Sequence, residues 1–335
     1  MTTALVLDAN SLVKRCIMAS ALDDLKSGTT FTGGVYGTLN TLRSILELPE
    51  AWTIGPLVAF FDGGISAKRL ELLPDYKSAR ADRKKLLSDE DKEKAFAQMG
   101  LVEEMLPLLG FRTRRYEATE ADDCVVAAAR MFLQHDVHVT VVTGDKDLWQ
   151  AVRFGADVWD LNQKRFVEQG NFGAVAGVSV AAYVVYRALV GDHSDSIAGC
   201  PGCGPVRASE LIIEATERFA DFESLAPADQ LSRLRLLAVT RKPKPRKFEQ
   251  SLFSNFDYLQ RVIKAIDLKE SFDHPLEELQ AWISESPVAV NKMGFLRFCK
   301  RVGFRSVLSY PDRFLKPFER CAEKANTCAL PGEKS

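Results

Sequence analysis

Three apolar runs that each end in an aspartate are the feature of this sequence that most limits its fold. Residues 4–7 and 57–61 are apolar, and residues 139–142 are apolar except for Thr140. Asp8 and Asp62 directly follow the first two runs, and Asp145 follows the third after Thr143 and Gly144. Parallel strands buried on both faces read as continuous apolar runs, and their carboxyl ends meet at one edge of a sheet. Coincidence explains one strand-ending aspartate but explains three poorly. The sequence therefore predicts an α/β fold with a mostly parallel sheet and acids along one edge.

Further segments are predicted to complete this α/β pattern. Helices are expected directly after Asp8 and over residues 33–48, 206–219 and 253–268, and a fourth strand over residues 156–161. Thr119 and Asp122 fit a helix capping box, and acids favour the first turn of a helix. The turn around Asp145 is also ordinary loop chemistry. Local sequence alone leaves these structural roles and a role in a site equally open.

Composition sets limits on the class of protein. A chain of 335 residues that is 46% hydrophobic and 27% charged is expected to form a main domain and an appended one. It has no apolar run long enough to span a membrane and no signal-peptide pattern, so a soluble cytoplasmic protein is expected. Seven cysteines, mostly in apolar segments, indicate reduced thiols. Cys200 and Cys203 form a CxxC pair without a second pair at zinc spacing, which disfavours a metal or redox role.

Basic residues are concentrated in three stretches of a chain whose net charge is only −1. These stretches are residues 68–85, 233–247 and 292–320. Charge runs are usually solvated surface. For residues 241–247, where prolines prevent a continuous helix, a solvated loop is nearly as good an explanation as a binding surface. Three basic stretches in a near-neutral chain nevertheless imply that acids are concentrated elsewhere.

The acids expected at the sheet edge predict a metal site. Asp8, Asp62, Asp145 and Asp147 would meet there, joined by Asp122 and Asp123 from a helix start. Unpaired carboxylates in such a group repel each other, and divalent cations remove this penalty. Oxygen ligands select hard ions such as Mg²⁺ or Mn²⁺, and the four scattered histidines fit no metalloprotease or triad pattern. The group therefore indicates phosphate chemistry with two metal ions.

A second acidic pair precedes a glycine-rich loop. Asp192 and Asp195 are three residues apart, a spacing that places both on one face of a helical turn. The loop over residues 199–205 contains Gly202 and Gly204 and leads into a predicted helix. Glycines allow backbone N–H groups to approach an anion, and a helix N-terminus favours phosphate. Together with the acids, this loop predicts a contact with a phosphate backbone, although a plain Gly/Pro loop is the alternative.

Six short motifs give the sequence a family resemblance. In chain order they are Asp8-Ala9-Asn10-Ser11-Leu12, Phe61-Asp62-Gly63, Tyr76-Lys77-Ser78-Ala79-Arg80, Glu120-Ala121-Asp122-Asp123, Thr143-Gly144-Asp145-Lys146-Asp147 and Gly191-Asp192-His193-Ser194-Asp195. Over residues 1–215 the chain resembles the 5'-3' exonuclease and flap endonuclease family, in its bacterial DNA polymerase I and bacteriophage branch. Ala9 stands where this family usually has glycine. Val206 stands where it commonly has lysine, with Arg207 one position later.

The resemblance implies a PIN-like α/β core with a central, mostly parallel sheet, a helical arch and a helix-hairpin-helix-type DNA-binding region. The catalytic domain would comprise residues 1–185, with the arch over about 66–100. The C-terminal domain would comprise residues 186–325, followed by a tail over 326–335. No polymerase domain follows, so a stand-alone nuclease of the phage type is expected, in the host cytoplasm if it is phage-encoded.

The resemblance also implies an activity and its residues. The protein would be a structure-specific 5'-3' exonuclease and 5'-flap endonuclease that uses two Mg²⁺ or Mn²⁺ ions to hydrolyse DNA in replication or repair, leaving 5'-phosphates. One ion would lie mainly on Asp62, Asp122, Asp123 and Asp145, and the other mainly on Asp147, Asp192 and Asp195. Asp8 and Glu120 would act directly or through another ligand. These nine acids would explain why the remaining chain is basic.

Other residues would bind DNA or act in catalysis. Catalytic roles would fall to Lys77, Arg80 and Asp145. DNA contacts would come from Tyr76, Lys77, Arg80, Gly202, Gly204, Arg207, Arg241, Lys242 and Lys244. Lys77 and Arg80, on one side of a helix, would hold the scissile phosphate, and Tyr76 would either stack on a base or simply pack. K⁺ is a further candidate ion at the helix-hairpin-helix loop.

The expected partner is DNA with 5' ends, flaps or nicks, with RNA primers as an alternative substrate, and the protein is expected to be a monomer.

Three other classes of protein remain as alternatives. A PIN-like ribonuclease would share the acids but would not need the arch or residues 191–208. A non-catalytic DNA-junction protein would have lost carboxylates. An aspartyl-phosphate phosphatase would need a second aspartate two residues after Asp8, where Asn10 stands.

Overall fold

A six-stranded sheet places Asp8, Asp62 and Asp145 at or after its strand ends in the computed structural model, which describes residues 2–19, 25–48, 54–80, 88–240, 246–269, 271–285 and 289–325. Its strands are β1 (Thr3–Asp8), β4 (Ile54–Phe61), β5 (Phe111–Arg115), β6 (His138–Thr143), β7 (Asp157–Asp160) and β8 (Arg165–Val167). A separate ribbon pairs β2 (Lys26–Ser27) with β3 (Thr30–Phe31). All four predicted strands are present, and the prediction of a mostly parallel sheet is confirmed.

The order of the strands reverses at β1, between β4 and β6. The order is β5-β4-β1-β6-β7-β8, with β1 parallel to both β4 and β6. Along the chain, β4 and β5 therefore join the sheet on one side of β1, and β6, β7 and β8 then join it on the other side. Open α/β sheets bind ligands outside the carboxyl ends of the strands where the order reverses. Here that position lies between the ends of β1 and β6.

The described residues of Met1–Gly64, Leu87–Phe166 and Phe272–Ser335 form the first of two compact units. Its helices before residue 272 are α1 (Ala9–Ile17), α2 (Gly33–Leu46), α4 (Asp89–Leu108) and α5 (Ala121–Gln134), and a 3₁₀ helix covers Lys146–Phe154. Apolar side chains of β1, β4, α1, α2 and α4 share one core. The helices predicted after Asp8 and over residues 33–48 correspond to α1 and α2.

The C-terminal helices belong to this first unit. They are α12 (Leu276–Ser284), α13 (Lys292–Arg301), α14 (Arg305–Ser309) and α15 (Pro311–Ala325). Phe295, Phe314 and Phe318 are buried in the core, and the Phe318 ring lies 6.5 Å from that of Phe111 in β5. The phenylalanines of the segment over 292–320 therefore pack inside, whereas Tyr310 is exposed. The predicted domain boundaries, which grouped this segment with residues 186–325, remain a prediction, and the tail over 326–335 lies outside the described residues.

The second unit comprises the described residues of Ile65–Leu86 and Val167–Ser271 and is helical. Its helices are α3 (Ala67–Leu72), α6 (Phe172–Ala176), α7 (Tyr183–Val190), α8 (Pro205–Arg218), α9 (Pro227–Thr240), α10 (Lys247–Ser254) and α11 (Phe256–Ile266). Helix α3 packs on α11, where buried Arg69 donates from Nε to the Ala265 carbonyl at 2.9 Å. The predicted helix over 206–219 corresponds to α8, and the one over 253–268 to α11.

The arch predicted over residues 66–100 includes α3 and the first part of α4, and its residues 81–87 lie outside the described chain. The arch therefore remains a prediction. Within the described ranges, no helix is both long enough and apolar enough to cross a membrane.

Gly63 is a point where the backbone of the first unit permits only glycine. Its amide donates to the Thr119 carbonyl at 2.8 Å, and a Cβ atom at Gly63 would lie 1.6 Å from the Tyr116 carbonyl oxygen. A side chain at this position would push apart the segments that follow β4 and β5.

We expect Gly63→Ala to lower the free energy of unfolding in urea by about 2 kcal/mol or more, because the clash is with backbone. Gly100→Ala is the matched control, since a Cβ atom at exposed Gly100 in α4 would meet no atom within 4 Å. That substitution should be neutral or stabilise the protein by up to about 1 kcal/mol. Equal effects of the two substitutions would contradict this packing.

Candidate active site

Asp8 is the buried centre of the acids in the first unit. It ends β1 and caps α1, and its carboxylate accepts hydrogen bonds from the Ser11 amide at 3.0 Å and from Thr143 Oγ1 at 2.9 Å. Its exposed fraction is only 3%. Burial raises the pKa of Asp8 to about 6 against these hydrogen bonds, and the nearby charge of Asp62 adds to the increase. Asp8 and Asp62 therefore interact as like charges.

Asp62 is held at the end of β4 by donors from two helices. Asn10 Nδ2 donates to Asp62 Oδ2 at 2.5 Å, and the amide of Ala121, the first residue of α5, donates to Oδ1 at 3.0 Å. Lys14 Nζ lies 3.5 Å from Oδ2. The Asp62 amide in turn donates to Asn10 Oδ1 at 3.1 Å. This network fixes the orientation of the Asp62 side chain.

The acids of the Glu120–Asp123 motif lie at the start of α5. Glu120 and Asp123 are buried, and Asp122 is half-buried. Burial raises the pKa of the neighbouring Cys124 thiol, and the charges of Asp123, Asp122 and Asp62 raise it further. All three carboxylates therefore act on one thiol, so the start of α5 lies close to the end of β4.

The predicted capping box at Thr119 is wrong. The residue that caps α5 is Glu120, whose side chain makes no capping hydrogen bond. Thr119 Oγ1 instead donates to the Glu117 carbonyl at 3.0 Å and lies 2.8 Å from His274 Nε2. The physical reason is a tertiary contact: His274, far along the chain, takes the hydroxyl that local spacing assigned to the cap.

Asp145 and Asp147 follow β6 in a turn that is tied to Asp8. Thr143 Oγ1, which donates to Asp8, also accepts from the Asp145 amide at 2.9 Å. Asp145 Oδ1 accepts from the Asp147 amide at 2.9 Å and so caps the 3₁₀ helix. The turn interpretation of this motif is thus locally correct, and the turn brings Asp145 to the same threonine as Asp8.

The donor set fits a hard divalent cation in its chemistry. The available ligands are carboxylate oxygens, and several of them are buried. Burial raises the pKa of Asp8, and repulsion from Asp62 raises it further. A bound cation would relieve this repulsion. Across the part of the chain that the structure describes, no three Asp, Glu, His or Cys side chains already enclose a metal position. Hydrogen bonds from Ser11, Asn10 and Asp147 hold the carboxylates of Asp8, Asp62 and Asp145 individually. The two-ion ligand set remains a prediction.

Asp192 lies in the second unit and is held as a carboxylate. It precedes a short 3₁₀ turn, His193–Asp195, and accepts from the Ser194 amide at 2.7 Å. Arg187 donates to Oδ2 at 2.8 Å. Burial alone would raise the pKa of Asp192, but the hydrogen bonds from Ser194 and the Arg187 guanidinium outweigh it and lower this pKa.

Asp195, also in the second unit, gathers all three predicted residues of the segment 76–80. Arg80 donates to Oδ1, the Tyr76 hydroxyl donates to Oδ2 at 3.3 Å, and Lys77 Nζ lies 4.0 Å from Oδ2. The prediction of a helix at Lys77 is wrong. This residue has a φ of +58° in a turn, where its amide donates to the Asp195 carbonyl at 2.9 Å.

The Tyr76 side chain is buried, with an exposed fraction of 7%. This favours the packing role that the sequence left open, and base stacking remains a prediction.

The glycine-rich loop after Asp195 leads into α8. Gly202 has a φ of +78°, and its carbonyl accepts from Arg207 at 2.7 Å. Gly202, Gly204 and Arg207 are all exposed. The loop therefore presents backbone and one guanidinium to solvent, and its DNA contact and K⁺ site remain predictions. Arg241, Lys242 and Lys244 lie outside the described residues.

Sequence reasoning missed the residues that orient the acids. Asn10, Ser11, Thr143 and Arg187 each bond an acid or its turn, and Ser11 Oγ also accepts from the Gly144 amide at 2.9 Å. Asn10, Ser11 and Thr143 stand inside the quoted motifs, so their adjacency to the acids was an available signal. For Arg187, five residues before Asp192, the sequence offers no such signal.

The pKa of Asp8 predicts an unusual pH dependence of stability. A carboxyl whose folded pKa is about 6, above its ordinary 3.8, stabilises the fold at low pH and loses that contribution as pH rises through 6. In EDTA, the free energy of unfolding of Asp8→Asn relative to the wild type should therefore rise by about 2 kcal/mol between about pH 4 and pH 7.

Asp192→Asn is the matched control with the opposite sign. Because the pKa of Asp192 is lowered in the folded protein, its carboxylate stabilises the fold at pH values above the ordinary pKa of an aspartate. This contribution is lost as pH falls through the folded pKa. The variant should therefore lose stability relative to the wild type as pH rises. A difference for Asp8→Asn that does not change with pH would contradict the burial of Asp8 beside a like charge.

Comparisons with known proteins give the family. Residues 3–176, just over half of the chain, match the family described as "5'-3' exonuclease, N-terminal resolvase-like domain". The flap endonuclease Xni of Aeromonas hydrophila is 27% identical over 228 residues, which are 68% of this chain and 79% of that protein. A 5'-3' exonuclease of Aquifex aeolicus is 31% identical over 216 residues, which are 63% of this chain and 69% of that protein.

A solved structure extends the comparison to the fold. A bacteriophage T5 flap endonuclease variant, in complex with DNA and metal ions, superposes with a TM-score of 0.61 at 21% identity, over 96% of this chain and 99% of that one. At this identity the likeness concerns the fold. The family match, the Aquifex relative and the shared fold agree with the resemblance of the six motifs, and the chain belongs to the 5'-3' exonuclease family with an N-terminal resolvase-like domain.

Proposed function

We propose that this protein is a metal-dependent, structure-specific 5'-3' exonuclease and 5'-flap endonuclease that hydrolyses DNA phosphodiester bonds. The observation that carries the proposal is the electrostatic interaction of buried Asp8 with Asp62 at the carboxyl edge of the sheet, beside the acids of α5. The complex of the T5 variant with DNA and metal ions supports DNA as the substrate and metal ions as the cofactor.

The residues of the first unit would hold Mg²⁺ or Mn²⁺. The proposed ligands there are Asp8, Asp62, Glu120, Asp122, Asp123, Asp145 and Asp147. Bound divalent ions would supply a hydroxide nucleophile and stabilise charge on the leaving 3' oxygen. Thr143 orients the Asp8 carboxylate, and Asn10 orients that of Asp62, so that their oxygens are held before the substrate arrives.

The second unit would contribute Asp192 and Asp195 as further ligands and Lys77 and Arg80 as cations for the scissile phosphate. The common contact of Lys77 and Arg80 with Asp195 supports a shared role for the two cations. Contacts to phosphates rather than base edges would give little sequence preference. DNA with 5' ends, flaps or nicks is therefore the proposed substrate class, and a monomer in the cytoplasm is the proposed working form.

Asp145→Asn tests the metal assignment. The substrate is a 5'-flap DNA, labelled in parallel at the 5' or the 3' end, and digested in Mg²⁺ or in EDTA. We expect cleavage by the wild type only in Mg²⁺ and a loss of at least about 100-fold in Asp145→Asn, because a carboxylate ligand has become neutral. Products should be released from the 5' end.

Asp157→Asn is the matched control for this experiment. Asp157 begins β7, at the opposite edge of the sheet, and bonds His138 at 2.8 Å. It should retain nearly full activity. Undiminished cleavage by Asp145→Asn would overturn the metal assignment, and release of 3'-terminal nucleotides first would overturn the polarity. Cleavage of RNA but not DNA would favour a PIN-like ribonuclease, and binding without cleavage by the wild type would favour a junction-binding protein.

Arg207→Ala tests the proposed DNA contact of the loop over residues 199–205. Arg207 is exposed, yet its bond to Gly202 and its position 5.6 Å from the Phe248 ring centroid hold it at the loop. If it neutralises one phosphate, its removal should weaken duplex binding and reduce the slope of log affinity against log salt concentration by about 1.

The matched control for this test is Arg233→Ala, in which the arginine removed is already paired with Asp221 at 2.6 Å. It should leave the salt slope unchanged. Equal slopes for the wild type and Arg207→Ala, measured on the same duplex, would remove Arg207 from the DNA-binding surface.

A further inference from the structure

Cys200 and Cys203 are brought together by a tight turn that the proposed function does not use. The Cys203 amide donates to the Cys200 carbonyl at 2.9 Å, and Gly202 between them has a φ of +78°. Residues at the two ends of a β-turn have Cα atoms within about 7 Å, and disulfides span Cα separations of about 4.4–6.8 Å. The backbone therefore already has a separation that a disulfide can bridge.

Both side chains lie beneath an exposed turn. Cys200 is 4% exposed and Cys203 is 2% exposed, whereas Pro201, Gly202 and Gly204 are exposed. Cys203 directly precedes Gly204, the cap of the 14-residue helix α8. A helix N-terminus favours a thiolate.

The surroundings distinguish Cys203 from the other cysteines of the described chain. The interaction between the Cys200 and Cys203 side chains lowers the pKa of Cys203 and raises that of Cys200. The guanidinium groups of Arg207 and Arg246 lower the pKa of Cys203 further. In contrast, burial raises the pKa of Cys299 to about 12 and that of Cys321 to about 11.

We propose that Cys200 and Cys203 form a reversible dithiol-disulfide site whose oxidant is a hydroperoxide. The Cys203 thiolate attacks one peroxide oxygen, the O–O bond breaks, and Cys203 becomes a sulfenic acid as the second oxygen leaves as hydroxide or alkoxide. The Cys200 sulfur then attacks the Cys203 sulfur, the S–O bond breaks, and water leaves. Two thiols and one hydroperoxide thus give one disulfide, one water and one alcohol, or two waters from hydrogen peroxide.

The position of the site gives it a structural consequence. A bond between the two sulfur atoms closes a ring across Pro201 and Gly202, the residues that present the exposed part of the loop. Gly202 is also the residue whose carbonyl accepts from Arg207. Oxidation would therefore fix the conformation of the turn whose Gly202 carbonyl binds the Arg207 side chain.

Mass spectrometry of the full chain tests this proposal without DNA or metal. The reduced protein is treated with hydrogen peroxide, remaining thiols are alkylated, and the tryptic peptide over residues 188–207 is analysed. We expect this peptide to lose two hydrogen atoms, to resist alkylation and to recover after dithiothreitol. Cys203 should react at least about tenfold faster than Cys299, because the thiolate is the reactive form.

Two variants sharpen the outcome. Cys200→Ser should leave Cys203 as a sulfenic acid that dimedone traps, because no neighbouring thiol resolves it. Cys299→Ser is the matched control and should leave formation of the disulfide unchanged. Alkylation of Cys203 at the same rate before and after peroxide, or its bonding to a cysteine other than Cys200, would overturn the proposal. Neither outcome depends on nuclease activity, so the proposed function is tested separately.

Discussion

Burial of the Asp8 carboxylate beside the charge of the partly exposed Asp62 is the constraint on which the site of the first unit depends. Asp8 is buried, and the charge of Asp62 adds to the effect of burial on its pKa. A fold that only maximised stability would place an uncharged cap such as asparagine or serine before α1, at the end of β1. Proteins depart from such local rules mainly at functional sites. Asp8 and Asp62 are therefore best understood as a site prepared for positive charge.

One threonine connects the two strands between which the sheet order reverses. Thr143 Oγ1 donates to Asp8, at the end of β1, and accepts from the amide of Asp145, after β6. A hydroxyl can do both at once, whereas valine, which has the same shape, can do neither. The positions of Asp8 and Asp145 are consequently linked through a single side chain, and the parallel pairing of β1 with β6 brings that side chain into reach.

The strands and their acids could be predicted because their signals are local. A continuous apolar run followed by aspartate identifies β1, β4 and β6 without knowledge of distant residues. The cap of α5 could not be predicted in the same way. Thr119 has the correct spacing for a capping box, but its hydroxyl bonds His274, more than 150 residues away. Short-range patterns describe competition within a segment, and they fail where a distant side chain competes for the same hydrogen bond.

The same limit applies to the C-terminal helices and to Lys77. Residues 292–320 are basic and aromatic, and the sequence alone cannot show that Phe318 packs against β5 while the charges remain outside. Spacing placed Lys77 and Arg80 on one face of a helix. The two cations do share a partner, but through a left-handed turn at Lys77. The roles of Lys77 and Arg80 remain a prediction, and their geometry depends on a contact with Asp195 that their spacing does not show.

That contact makes the segment over residues 76–80 and the acidic pair of the second unit a single structural element. The Lys77 amide donates to the Asp195 carbonyl, and the Ala79 amide donates to Ser196 Oγ at 3.1 Å. Backbone as well as side chains therefore join the two segments. A phosphate that drew Arg80 away from Asp195 would leave this carboxylate, only 7% exposed, with less compensation for its charge. A cation bound at Asp195 would restore that compensation, so phosphate and cation would favour each other's binding at this element.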